Sequence, residues 1–120
     1  MSEFIKFAGP QSEVRPFYWA SNLFTLCSTS VETFSIAALE AMACGLPVVL
    51  TNIGGASEMI SEGLNGFLCD PDVADIAQKW SKALHADFNP EMIHDYVSKN
   101  FSAEKMIREY IKTLQLLEQE

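Results

Sequence analysis

Residues Val31–Ile60 read VETFSIAALEAMACGLPVVLTNIGGASEMI, and this stretch decides the fold. Ser35–Cys44 is rich in alanine and leucine and contains no breaker, which predicts a helix. Gly45 stands at the position that favours a left-handed residue after a helix, and Pro47 follows two positions on. Val48–Thr51 is a short apolar run of the kind buried on both faces of a sheet. Gly54-Gly55 then makes a turn, and Ala56–Ile60 starts another short helix. Helical spacing puts Ile36, Leu39, Glu40 and Ala43 on neighbouring rows of one face, so Glu40 is expected to border the apolar side.

Working outward toward the N-terminus, Leu23–Cys27 (LFTLC) is a second buried strand, joined to the helix by the polar loop CSTSVE at Cys27–Glu32. Ser12 is placed to cap a helix with Pro16 in its first turn that runs to about Ser21. Phe4–Ala8 (FIKFA) reads as a strand closed by Gly9-Pro10. Toward the C-terminus, Gly63, Asn65 and Gly66 form a turn before a short strand at Phe67–Cys69, stopped by Asp70-Pro71. Val73, Ile76, Ala77, Trp80 and Leu84 keep helical spacing, with Asp72 and Asp75 at the positive end of the helix dipole. Pro90–Asn100 is a further helix. Ser102 caps a last one with Ile107, Tyr110, Ile111, Leu114 and Leu117 on one face. Strands alternate with helices and no hairpin signal intervenes. The pattern predicts a single α/β domain over residues 1–120, a Rossmann-like parallel sheet of about four strands with helices on both faces. The last helices fall at about 90 to 118.

The chain has 120 residues, one domain's worth, with 8 basic against 16 acidic side chains and a net charge of −8. That balance excludes nucleic acid as a main partner. The distribution is sharper than the total. No lysine or arginine occurs between Pro16 and Gln78, an interval that carries Glu32, Glu40, Glu58, Glu62, Asp70, Asp72 and Asp75. Cys27, Cys44 and Cys69 form no CxxC pair and read as buried free thiols of a reducing compartment. No apolar run reaches transmembrane length, so the expected location is cytoplasmic, with a peripheral place at the inner membrane face in a full-length protein.

In an open parallel sheet ligands lie beyond the carboxyl ends of the strands. That puts the Cys27–Ser35 loop and the Gly54-Gly55 turn on the ligand edge. Glu32 stands where the loop enters the helix and Glu40 is over two turns further on. Two acidic acceptors at and inside a helix mouth suit a polyhydroxylated ligand, and amides around Thr33–Ile36 suit an anion or a sugar oxygen. Each feature also has a plain explanation. A glutamate at a helix start compensates the dipole, a mid-helix glutamate is solvated, and paired glycines supply positive φ. His85 and His94 sit in the later helices, away from this edge, and no cluster has metal-ligand spacing.

The run Glu32–Val49, ETFSIAALEAMACGLPVV, resembles the E-x7-E signature of retaining GT-B glycosyltransferases, the large family 4 (glycosyl transferases group 1). The likeness continues through Thr51–Ile60 and the Gly63-x-Asn65-Gly66 turn and reaches back to Phe4–Gly9. It implies the C-terminal, donor-binding part of such an enzyme, a partial donor domain of the GT-B fold. By that resemblance Glu40 binds the ribose hydroxyls of the nucleotide. Glu32 is the catalytic residue addressing the transferred sugar, with Thr33, Phe34, Ser35 and Ile36 binding the same sugar, chiefly through backbone amides. Gly54 and Gly55 form a turn at the ligand edge. The family often reads E-G-F-G where this chain has Glu32-Thr33-Phe34-Ser35, so both glycines carry side chains here.

The resemblance further implies a nucleotide-diphosphate sugar as donor and a glycan, lipid or small molecule as acceptor, with no cofactor and no metal. The partner of such a piece is the N-terminal acceptor domain, or a separate chain completing a split transferase. A non-catalytic α/β domain with an inherited signature is the remaining alternative. An isolated 120-residue chain is expected to be inactive, and its uncovered faces to favour a homo-oligomer.

Overall fold

A computed structural model describes residues 2–117. The elements are α1 (Arg15–Ala20), β1 (Phe24–Leu26), α2 (Ile36–Ala43), β2 (Val48–Thr51), α3 (Ala56–Met59), β3 (Gly66–Cys69), α4 (Val73–His85), α5 (Pro90–Phe101) and α6 (Ala103–Leu117). Residue 118, where the last helix was expected to end, lies outside the described residues, as does the Leu117 side chain.

Among the described residues the sheet has three strands, in the order β1-β2-β3 and parallel throughout. The central strand β2 is buried along its whole length, as expected of an apolar run with neighbours on both edges and layers on both faces. Alternation divides its side chains. Val48 and Leu50 join Ala38, Ala41, Met42, Met59, Ile93 and Val97 in one core. Val49 turns the other way and packs with Phe67, Cys69 and Ala83. Helices α2, α3 and α5 therefore cover one face and α4 the other, the two-sided architecture read from the sequence.

The expected strand at Phe4–Ala8 is a correction. Ser2–Phe4 is a short 3-10 turn and the residues after it have no regular structure. Phe4 and Phe7 are 88% and 95% exposed. Strand propensity is realised only against a neighbouring strand, and this segment pairs with none of the three. Ser12 is corrected as well: α1 starts after Val14 with no side-chain cap.

Helix α2 is where expected, opened by Ser35 and followed by Gly45, but its buried face is Ala38, Ala41 and Met42. Ile36 is 63% exposed and Glu40 is exposed, so Glu40 does not border the buried side. An alanine-rich helix has apolar residues all round, and its small residues go inward where α5 approaches closely. In α4 the inner positions are Ile76 and Ala83, while Val73 and Leu84 lie exposed. Trp80 crosses to β1, its indole N–H donating to Thr25 Oγ1 at 2.9 Å. Asp72 caps α4 by accepting from the amides of Ala74 and Asp75, and Asn89 and Ser102 open α5 and α6 in the same way. Among the cysteines Cys69 is buried, whereas Cys27 and Cys44 are only half-buried.

Candidate functional site

The loop from Cys27 to Ser35 leaves the carboxyl end of β1 and is fixed at both ends. Thr51 Oγ1, at the end of β2, donates to Ser28 O at 2.7 Å. At the other end the amide of Gly55 donates to Thr33 O at 2.7 Å. Here the two glycines have their reason. Gly54 has φ +58°, and a Cβ on it would stand 1.7 Å from Glu32 O. One on Gly55 would meet Thr33 O at 2.7 Å and the Phe34 ring at 2.8 Å. The close backbone approach is thus to the Glu32–Phe34 loop itself.

Phe34 turns inward, its ring 5.8 Å from that of Phe101. Ser35 is buried and caps α2, its Oγ accepting from Ala38 N at 3.1 Å, so this hydroxyl is already engaged. Thr33 and Ile36 face solvent. Among the described residues the amides of Phe34, Ser35 and Ile36 have no acceptor. These are orphan donors at the positive end of a helix dipole, where negative charge and sugar oxygens are welcome. Glu32 is half-buried and lines, with Ser28, Ser35 and Thr51, a small cavity of about 10 Å³ under the loop. That space is about one water in size.

Glu40 opens onto a different depression, of about 380 Å³, shared with Arg15 and Tyr18. The structure therefore brings Glu32, the loop amides and the Gly54-Gly55 turn together, and leaves Glu40 on a neighbouring surface further along α2. The Tyr18 hydroxyl lies 3.3 Å from Glu40 Oε2 and 3.4 Å from Ala37 O. Burial, followed by the charge of Glu40 and the hydrogen bond to it, raises the Tyr18 phenol above its usual value. Arg15, one position before the base-free interval, is held by an ion pair to Glu13. That pair holds the Glu13 carboxyl down at about 2. Sequence reading had singled out neither Tyr18 nor Arg15. The signal available was an amphipathic half-turn, Tyr18 being the inward residue of a helix whose others are exposed.

His85 and His94 are exposed, and each donates from Nδ1 to a helix carbonyl, Ser81 O and Ala43 O, both at 2.7 Å. Among the described residues no group of acidic, histidine or cysteine side chains is arranged to hold a metal. No helix there is long and apolar enough to cross a membrane.

A parallel sheet with a fixed loop and a helix mouth at its carboxyl edge defines the class: a Rossmann-like ligand-binding domain of the GT-B type. The chain belongs to the glycosyl transferases group 1 family, whose model matches residues 1–102. N-acetyl-alpha-D-glucosaminyl L-malate synthase of Bacillus anthracis is 36% identical over 112 residues, 88% of this chain and 29% of that protein. The D-inositol 3-phosphate glycosyltransferase of Mycolicibacterium smegmatis is 37% identical over 87 residues, 70% of this chain and 20% of its own length. Among solved structures, Anabaena HepE in complex with UDP superposes with a TM-score of 0.79 at 27% identity, covering 95% of this chain and 33% of that one. A glycosyltransferase from Rickettsia africae gives a TM-score of 0.77 at 29% identity, with coverages of 86% and 29%. The chain spans about a third or less of these proteins.

Proposed function

We propose that this chain is the donor-binding part of a retaining family 4 glycosyltransferase, with Glu32 and Glu40 as the two ends of its E-x7-E signature. The reading is carried by the loop at Ser28–Ile36. It is tied at Ser28 and Thr33, and it sets the half-buried Glu32 next in the chain to the amides of residues 34–36, which have no acceptor among the described residues. A site preorganised in this way orients a ligand without a reorganisation cost at the moment of reaction. Glu32 and the amides of Phe34, Ser35 and Ile36 bind the transferred sugar, with Thr33 at its rim. Glu40 accepts from the vicinal diol of the nucleotide ribose, since one carboxylate offers two oxygens to two hydroxyls. As the nucleotide diphosphate departs with the bonding pair, the anomeric carbon takes on oxocarbenium character. Glu32 and the loop hold the sugar in place for the acceptor hydroxyl. The acceptor-side wall comes from residues beyond these 120.

The test is a set of amide spectra of the isotopically labelled chain with UDP-glucose, UDP-N-acetylglucosamine and GDP-mannose at millimolar concentrations. At least one donor is expected to shift the amides of residues 33–36 and Glu40. Shifts confined to other surfaces, or none with any donor, would overturn the reading.

A further inference from the structure

The depression beside Glu40 contains one contact that the assigned roles leave unused. Glu40 is exposed on α2 and forms no ion pair among the described residues. A glutamate in that setting moves freely among rotamers, and a carboxylate that must meet a rigid diol loses that freedom on binding. The side chain reaching it is Tyr18, from α1. The Tyr18 ring is held edge-on against Phe24 of β1, centroids 6.0 Å apart at 71°, and is packed against the main core. Its hydroxyl is therefore a fixed point. It has one proton to give and two acceptors within reach, Glu40 Oε2 and Ala37 O. The carboxylate is the stronger acceptor because it is charged. Arg15, across the same depression, is engaged with Glu13 and leaves this contact to the tyrosine.

We propose that Tyr18 is a positioning residue: its hydroxyl holds one oxygen of Glu40 so that the other faces the nucleotide ribose. The inference rests on the ribose role of Glu40 given above. A neutral donor suits the task. It restrains the carboxylate without cancelling the charge that attracts the diol, as a lysine or arginine would.

Tyr18→Phe keeps the ring and its packing and removes only the hydroxyl. The first readout needs no ligand. In an alkaline titration that follows the tyrosinate absorbance lost in Tyr18→Phe, and so separates Tyr18 from Tyr96 and Tyr110, Glu40→Gln is expected to lower the ionisation midpoint of Tyr18, because a nearby negative charge disfavours the phenolate. Glu32→Gln is expected to leave it unchanged. The second readout is ligand-observed NMR with UDP and GDP and their 2′,3′-dideoxy counterparts. Tyr18→Phe should weaken the ribonucleotides by about threefold to tenfold, the worth of one hydrogen bond. It should leave the dideoxy forms and the melting temperature unchanged. Equal weakening of both forms would make Tyr18 a packing residue and overturn the proposal, as would no change in either or a Tyr18 midpoint insensitive to Glu40→Gln. A wild-type chain that binds ribo and dideoxy forms equally, or binds neither, removes the ribose role of Glu40 and this inference with it. The tyrosinate readout then still reports whether the contact itself exists.

Discussion

The amide of Gly55 donates to the carbonyl of Thr33 at 2.7 Å, and this bond ties the turn after β2 to the loop that delivers Glu32. The approach is so close that Gly54 has no room for a side chain, and its φ of +58° disfavours one as well. Gly54→Ala should therefore cost more than a positive-φ residue alone, which is roughly 1–3 kcal/mol. Gly63→Ala is the control, since Gly63 also has positive φ but nothing within 4 Å of a Cβ. In urea unfolding Gly54→Ala is expected to be the more destabilising of the two. It should also shift the amides of residues 32–34.

Glu40→Gln keeps the shape of the side chain and removes its charge. The residue is exposed, so the melting temperature should hold. In the full-length enzyme, affinity for a nucleotide-sugar donor should fall by about 10-fold or more, from the loss of roughly 1.5–3 kcal/mol for a charge-assisted hydrogen bond. Calorimetric titration of the two proteins measures the difference, and equal affinities would return Glu40 to the role of a solvated helix residue.

The parts of this architecture that were legible in the sequence are those set by local chemistry. The apolar run at Val48–Thr51, the stop at Gly45, the acidic start of α4 at Asp72 and the cap at Ser102 depend on a few neighbouring residues. The parts that misled depend on partners distant in the chain. Phe4–Ala8 has the composition of a strand and lies exposed, because composition supplies no neighbour. Ile36, Leu39 and Ala43 have the spacing of a core face, yet Ala38, Ala41 and Met42 are the buried set; with apolar residues all round, packing against α5 made the choice. At the site, the Glu32 loop was visible as a motif. The reason for Gly54-Gly55 was not, since the atom they accommodate is a backbone oxygen 22 residues earlier. Tyr18 was hidden likewise, 22 residues from Glu40.

Asn65 is fully buried, and its amide links three elements. Its Oδ1 accepts from Ser61 N at 2.9 Å, and its Nδ2 donates to Met59 O at 2.9 Å, with Met42 Sδ at 3.3 Å. Asn65→Leu keeps the number and branching of side-chain heavy atoms and strands the Ser61 amide and the Met59 carbonyl. Leaving buried polar groups unpaired costs about 1–3 kcal/mol each, so urea unfolding should show a loss of about 2–6 kcal/mol. A neutral result would mean that the turn re-pairs without its asparagine.

Cys69 is buried against Val49 and Phe67. Burial first, and then the neighbouring Cys27 and Asp75, push its thiol up to about 11 from 9.0. A raised thiol favours the protonated folded form, so this contribution to stability is complete below pH 9.0 and is lost as pH rises through about 11. The urea midpoint should fall across that window, and Cys69→Ala should flatten the fall. At mildly alkaline pH, iodoacetamide should spare Cys69 in the folded chain and modify it once urea unfolds it, as peptide mass spectrometry will show.

The last prediction concerns salt. A nucleotide diphosphate brings about two negative charges to a surface with seven acidic side chains and no basic one between Pro16 and Gln78. Arg15 and Lys79 flank that interval in sequence, and Glu13 already pairs with Arg15. Helix-terminal amides attract an anion by only about 0.3–1 kcal/mol at exposed sites. Repulsion from the remaining carboxylates acts over a screening length of about 30 Å at 0.01 M salt, and about 8 Å at 0.15 M. The 120-residue chain should therefore bind UDP-sugars and GDP-sugars with dissociation constants in the millimolar range. Its affinity should rise, or hold steady, as salt is added from 0.01 M to about 0.15 M. A basic phosphate site would behave in the opposite way, because salt weakens attraction. Ligand-observed NMR at the two ionic strengths decides between them. Micromolar binding that weakens with salt would mean that Arg15, or a lysine from the later helices, reaches the diphosphate. The reading that no cation of this chain serves the diphosphate would then be wrong.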